Sequence, residues 1–384
     1  MDDTRSDTVV VGGGLVGLAL AYELACLGQQ VTLIDGSLPG RATAAGAGIL
    51  SPTTTADDDP DWWAMVQACG VHYPRLLARL ASDEVDIEPA QYAVCGILSI
   101  GLRASEEDWF APFAALVTRR APDAVHEISR TEARTLFPAL GPVHRVLHHP
   151  GAARIDGRGM ATALRHGAAG RGVRIIEDVV VGLRVNAEGH RVESAELEGG
   201  GSVRGEQFAV CGGAWSAAMG EWLGTRLPVT PTKGQIMHLQ SGFDTESWPI
   251  AQPLLSHYIV PWSGGRVACG GTFETAAGFD VAPTAAGLHE LLRECLLIAP
   301  GLAAASYIET RVGLRPTSVD DRPLVGRVPS WSNTWVATGH GANGLLQGPY
   351  EARVLAHQMT GVALAPDEPA LPSSCLPDRF GLGR

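Results

Sequence analysis

Residues 7–35 read DTVVVGGGLVGLALAYELACLGQQVTLID. A β-branched run (7–11) stops at glycines. Residues 15–27 then carry helix formers with helical periodicity. Gly28 is a helix stop, and residues 31–35 are a second β-rich run that ends in an acid. The order is strand, glycine turn, helix, strand: one βαβ unit. Within it lies Gly12-x-Gly14-x-x-Gly17, with Asp35 eighteen residues after Gly17. Gly12 permits a tight turn, Gly14 lets backbone approach a pyrophosphate, and Gly17 lets the helix pack on the strand. The helix N-terminus turns free N–H groups and a positive dipole end toward phosphates. Asp35 is placed to accept from a ribose hydroxyl. The motif predicts a bound dinucleotide and leaves nicotinamide and flavin both open.

The rest of the chain agrees with an α/β protein. Its 384 residues are 45% apolar and 18% charged, enough for large cores and too apolar for disorder. Net charge is −12, which argues against nucleic acid as a partner. The 47 glycines show no three-residue period. The seven cysteines form no CxxC pair and read as single thiols in a reducing compartment. His144 and His148 have the spacing of a helical metal pair but no third ligand, so no metal is predicted. No run is long and apolar enough for a membrane span, and the acidic start MDDTRSD is unlike a signal peptide. The expected location is the cytoplasm. Homo-oligomerisation stays open.

Further along, residues 37–61 read as loop, with Asp57–Asp59 as a solvated acidic run. Helices are predicted at 62–81, 105–121, 129–136, 159–170, 284–298 and 343–360. In the helix at 284–298, Leu288, Leu291, Leu292, Cys295 and Leu296 form the expected buried face. Strands are predicted at 92–102, 173–176, 235–240, 256–262, 266–273, 307–315 and 334–338, with a meander from Val179 to Val210. Lys233, the chain's single lysine, lies in PTKGQ (231–235).

Two more stretches bear on chemistry. GRATAAGAGILSP (40–52) follows Asp35, where Arg41, Ala45, Gly46, Gly48 and Ile49 can run past a cofactor with little steric cost. Near the C-terminus stand GLRP (313–316), then DRPLVG (321–326), then GHGANG (339–344). Gly339 and Gly341 precede the last helix, Asn343 and Gly344 open it, and together they make a second nest of N–H groups, suited to an anionic reduced isoalloxazine.

These segments, with FAVCGGAWS (208–216) and HYIVP (257–261), resemble in order and spacing the flavin-dependent amine and D-amino acid oxidase superfamily, nearest to the glycine oxidase pattern of the thiamine pathway. The resemblance covers nearly the whole chain. It implies a Rossmann-type FAD-binding domain assembled from discontinuous segments (1–85, 145–225 and 305–384). It also implies a substrate domain with a mixed β-sheet flanked by helices (86–144 and 226–304). FAD would be non-covalent, since the cysteine or histidine context of covalent flavins is missing. Gly212, Trp215 and Gly313 would join the cofactor contacts.

By the same resemblance, Arg315 pairs with a substrate carboxylate and Tyr258 donates to it. The bland alternative pairs Arg315 with Glu309. Hydride would pass from Cα to flavin N5, the imine would hydrolyse, and O2 would become H2O2; a different acceptor would make the enzyme a dehydrogenase. Two positions depart from the pattern: Ala342 and Trp262 stand where arginine is usual. The pocket is then less positive and more apolar, with Arg311 available to compensate. A substrate other than glycine is predicted: a bulkier or cyclic amine, a D-amino acid or an N-alkyl amino acid. His340 reads either as a loop-shaping residue or as a flavin-edge contact. The competing readings are a 2-hydroxy acid dehydrogenase, a nicotinamide dehydrogenase and a non-catalytic FAD-binding protein.

Overall fold

The computed structural model describes residues 5–381; the first four residues of the acidic start, and the last three of the chain, lie outside them. Strand Ser6–Val11 sits at the centre of a parallel array. It pairs with Ser202–Val210 on one side and Val31–Ile34 on the other. Thr334–Thr338 and Arg174–Ile176 extend the array outward, also parallel. Leu324–Arg327 and the meander strands Val180–Val185 and Val192–Leu197 add antiparallel edges. Val9, Val10 and Val11 are all buried, as in a strand covered on both faces.

Helix Leu15–Cys26 fills one side, with Pro60–Ser82, Gly157–Gly170 and Gly344–Thr360 around it in one core. Every residue of this helix from Gly17 to Leu24 is buried, so no amphipathic face survives. Buried Glu23 within this helix is neutralised by Arg79 and by Arg353, the latter at 3.2 Å. Gly28 takes φ +83° just past the helix end, the left-handed conformation that glycine enters at little cost.

The second sheet has eight strands in mixed order, from Ser306–Ser318 and Val229–Gln240 at one edge to His126–Glu127 at the other. Helix Ala285–Ile298 packs on it through Leu291, Cys295 and Ile298. Leu292 and Leu296 are exposed, so the buried stripe is narrower than the leucine pattern predicts. Two segments pair across the expected division of the chain. Arg145–His149 and Ser306–Ser318, assigned from sequence to the cofactor domain, hydrogen-bond within the second sheet. A strand's partners are set by distant segments, which local pattern does not carry.

Other local differences have plain causes. Residues 37–61 contain a short helix, Ala42–Ala45, and a short strand, Ile49–Leu50. The acidic run is engaged in structure: Asp59 caps helix Pro60–Ser82 through the Asp61 and Trp62 amides, and Asp57 pairs with Arg322. His148 lies on a strand, so its spacing from His144 does not place the two on one helix face. Cys269 and Cys295 are not isolated thiols: their sulfurs lie 2.9 Å apart. Among the described residues no helix is long and apolar enough to cross a membrane.

Three buried histidines are held neutral. Burial, then Arg79 and Arg353, bring His72 down to about 3. Burial and His148 bring His149 to about 4. Burial, with Arg311 and Arg266, brings His238 to about 4. Their folded values lie below the unfolded value of about 6.5, so their contribution is complete above that pH and lost as pH falls toward 4. Unfolding free energy from urea titration should therefore drop by about 3–4 kcal/mol between pH 7 and pH 5.5. A flat profile over that window would show that these imidazoles can be charged in the folded protein.

Candidate active site

One cavity runs between the two sheets. Its first end is the glycine turn: Gly12, Gly13 and Gly14 line it with Asp35 at the tip of Val31–Ile34. Gly12 has φ +106°, and a Cβ there would lie 2.4 Å from the Cys211 carbonyl oxygen. Gly17 lies behind the lining, where a Cβ would come within 1.9 Å of the Gly12 carbonyl oxygen. Gly14 is different: a Cβ there would meet only Thr43 Oγ1, at 3.5 Å. Thr43 Oγ1 also accepts from the Leu15 amide at 3.0 Å, tying the small-residue loop to the helix start. Asp35 accepts from Arg41 Nη1 at 2.5 Å, so the acid is shared with a cavity-lining arginine.

Arg41, Ala45, Gly46, Gly48 and Ile49 all line the same cavity, as do Gly212 and Trp215 from the second glycine turn. Gly313, Gly341, Ala342 and Gly344 complete it from the C-terminal side. Gly339 and Asn343 shape the loop without lining the cavity; Gly339 has φ +79° and Asn343 precedes helix Gly344–Thr360. His340 is engaged: its Nε2 lies 2.8 Å from Glu351 Oε2, and both side chains are buried. Gly213 and Gly341 present bare backbone, with nothing within 4 Å of an added Cβ.

The other end holds Arg315 and Tyr258. They come from different strands of the second sheet, and both face the cavity with Gly234 and Ile236. A Cβ on Gly271 would lie 3.0 Å from Arg315 Nη2 and 3.1 Å from the Tyr258 hydroxyl, so the two groups converge on one spot. A Cβ on Gly234 would strike the Arg315 guanidinium at 2.2 Å. Arg315 Nη1 donates to the Thr272 carbonyl at 2.9 Å, and among the described residues no carboxylate pairs with it. Burial pushes the Tyr258 phenol up while Arg315 pulls it the other way, with a net rise. The phenol keeps its proton and can donate it. A planar cationic fork beside a neutral phenol presents donors of the kind a carboxylate accepts from.

Two predicted pocket residues lie elsewhere. Trp262 is buried behind Gly48, between Arg154 and Arg266 (5.7 and 4.7 Å from its ring), and does not line the cavity. Arg311 donates to Glu309 at 2.7 Å and approaches Asp156 at 4.0 Å. Glu309 is thus the partner of Arg311, not of Arg315. Arg311 opposes Ile236 across the sheet but points its charge into this cluster, so it offers no compensation at Ala342. His257 pairs with Glu290 at 3.1 Å, away from the cavity, as alternation from Tyr258 requires. The sequence reading missed Ala47, Gly234 and Ile236 in the lining, and Thr272 as the anchor of Arg315. Gly234 carried a signal, because it lies in PTKGQ.

A glycine turn suited to a dinucleotide, joined by one cavity to a guanidinium without a carboxylate partner among the described residues, fits a dinucleotide-dependent oxidoreductase. The chain belongs to the FAD dependent oxidoreductase family, which residues 7–358 match. It is 34% identical to the uncharacterized oxidoreductase YurR of Bacillus subtilis, over 94% of this chain and 98% of that protein. It is 32% identical to glycine oxidase of Pseudomonas aeruginosa, over 92% and 94%. Among solved structures, iminodiacetate oxidase from Chelativorans sp. BNC1 superposes with a TM-score of 0.86 at 36% identity, covering 94% of this chain and 98% of that one. Glycine oxidase from Geobacillus kaustophilus gives 0.84 at 25%, covering 94% and 96%. The cofactor is FAD, and the bare backbone at Gly14, Gly213 and Gly341 fits a long, flat dinucleotide along the cavity.

Two glycines separate cofactor fit from folding. Gly14→Ala should fold within about 1 kcal/mol of wild type but purify with less than about half its FAD, read from flavin absorbance. Gly17→Ala should lose more than about 3 kcal/mol in urea unfolding. Equal FAD content in Gly14→Ala and wild type would show that this backbone does not approach the cofactor.

Proposed function

We propose that this enzyme oxidises the C–N bond of a small amine or amino acid that carries a carboxylate, using O2 as acceptor. The observation that carries the reading is Arg315: a half-buried guanidinium without a carboxylate partner among the described residues, converging with a protonated Tyr258 on the cavity. Bound FAD supplies the two-electron oxidation at the substrate Cα–H. Arg315 holds the substrate carboxylate as a two-pronged donor and Tyr258 adds a third hydrogen bond. Together they fix which C–H faces the cofactor end of the cavity, and such orientation is a large share of the rate. Gly344, the first residue of helix Gly344–Thr360, offers its backbone N–H where negative charge develops, while the Gly341 amide is taken by the Pro316 carbonyl. The imine product then hydrolyses in water.

Specificity lies beyond glycine. Ala342, Ala47 and Gly48 give the lining small, uncharged walls, which leave room for a substituent on nitrogen or Cα. N-substituted amino acids are our preferred class, supported by the likeness to iminodiacetate oxidase. FAD is held without a covalent bond: His340, in the lining, is committed to Glu351, and burial pushes the lining thiol of Cys211 up to about 12. The seven cysteines, none in a disulfide, support a cytoplasmic location.

Anaerobic addition of glycine, N-methylglycine, iminodiacetate, D-alanine, proline and lactate tests the reading through bleaching of the flavin spectrum. We expect N-substituted amino acids to bleach it fastest. Fastest reduction by glycine would overturn the specificity, and reduction by lactate alone would move the enzyme to 2-hydroxy acids. Arg315→Ala should keep FAD and raise KM by about 100-fold, the loss of a charge-assisted pair of about 3 kcal/mol. Tyr258→Phe should cost about tenfold. Unchanged constants in Arg315→Ala would remove the carboxylate assignment.

A further inference from the structure

Lys233 is unused by the function so far, and its surroundings are unusual. The side chain of this single lysine is 1% exposed, yet its Nζ lies 2.8 Å from Asp280 and 3.8 Å from Glu274. A buried ammonium needs carboxylates close by. Here both belong to one segment, residues 271–284, which joins strand Arg266–Gly270 to helix Ala285–Ile298. Lys233 also exchanges backbone hydrogen bonds with Glu274, at 3.1 and 2.9 Å. Gln235, two residues on and on the same face, fastens the segment at both ends. Its backbone amide donates to Thr272 Oγ1, and its side chain bonds Glu274 and Thr284.

The fastened segment borders the site. The Thr272 carbonyl accepts from Arg315. The Phe273 ring stands 5.7 Å from the Arg315 guanidinium, and the Phe279 ring 5.5 Å from Trp215. Val281 packs where a Cβ on Gly40 would lie 2.5 Å from it. Yet Phe273 and Phe279 are 63% and 51% exposed, so burial does little to hold this stretch in place. Asp280 is about half exposed and its carboxyl is drawn down by Lys233.

We propose that Lys233 is a positioning residue: its ion pairs to Asp280 and Glu274 lock residues 272–283 as the rim of the substrate end, and so fix the Thr272 carbonyl that aims Arg315. This rests on the proposed role of Arg315 as the carboxylate receptor. In the absence of the lysine charge, the Asp280 carboxylate keeps only its bond from the Ala282 amide inside the same segment, the rim loosens, and Arg315 loses its registered acceptor. The site would keep FAD and bind carboxylates less well.

The experiment uses the FAD-loaded enzyme, Lys233→Met and Asp280→Asn. Asp280 is on the surface, so its variant tests the clamp even if Lys233→Met does not fold. Hydrogen exchange should be about tenfold faster across residues 271–284 in both variants, and unchanged in helices Leu15–Cys26 and Gly344–Thr360. The Kd for acetate, read from the flavin spectrum, should rise about tenfold, and for a substrate KM should rise with kcat within about twofold. Unchanged exchange at 271–284 in Asp280→Asn overturns the proposal. So does faster exchange throughout the chain, which would make the pair merely structural, and so does a loosened segment with unaltered acetate binding. If wild type binds acetate but no amine bleaches the flavin, the proposed function fails and the clamp is still read by the other two measurements.

Discussion

The site depends on how the end of one strand is held. Residues 314–317 finish strand Ser306–Ser318 and are bonded on both sides by the loops that border the cofactor cavity. The Leu314 amide donates to the Gly40 carbonyl at 2.8 Å, and Arg41 bridges the same residue. The Gly341 amide donates to the Pro316 carbonyl at 2.8 Å, and Thr317 bridges His340. Backbone bonds leave little freedom of register. Arg315 therefore sits between the loop that follows Asp35 and the loop that precedes the last helix. The Arg315 charge is placed by the same contacts that close the cofactor cavity, although it belongs to the other sheet.

That arrangement explains why small residues crowd these loops. Gly313 lies where a Cβ would come within 2.8 Å of the Ala45 side chain, and Gly46 where one would meet Leu345 at 2.6 Å. Gly234, on the neighbouring strand, yields its side-chain volume to Arg315. Three backbones and one long cation share a space that ordinary side chains would fill. The cost is conformational entropy in the unfolded chain, and the result is a wall that approaches a flat cofactor closely.

Much of this was legible in the sequence because it is local. The turn at Gly12, Gly14 and Gly17 is encoded by backbone needs, and the acid at Asp35 by its distance along one βαβ unit. The convergence of Arg315 and Tyr258 on one cavity was legible only through resemblance to a family, since no spacing rule joins residues 57 positions apart. What failed was orientation. Arg311 has the right parity to accompany Arg315, but a nearer acid, Glu309, takes its charge. Trp262 follows Tyr258 by an even number, yet the strand ends at Pro261 and the ring turns into the core. The pairing of strand Ser306–Ser318 with Val229–Gln240 was not legible, because the two are about seventy residues apart in the chain.

The distribution of charge completes the account. Few cations face the cavity: Arg41 is drawn to Asp35, and Arg315 has no carboxylate of its own among the described residues. Arg154, Arg266 and Arg311 lie behind the wall, on Trp262 or against Asp156 and Glu309. A lining rich in arginine would bind any small anion. One fork without a carboxylate partner among the described residues, beside a neutral phenol, would bind a single carboxylate and leave the remaining walls to discriminate by size. On the proposed function, the uncharged lining at Ala342 would leave discrimination at this site to shape, and the substrate would be selected by what its nitrogen and Cα carry.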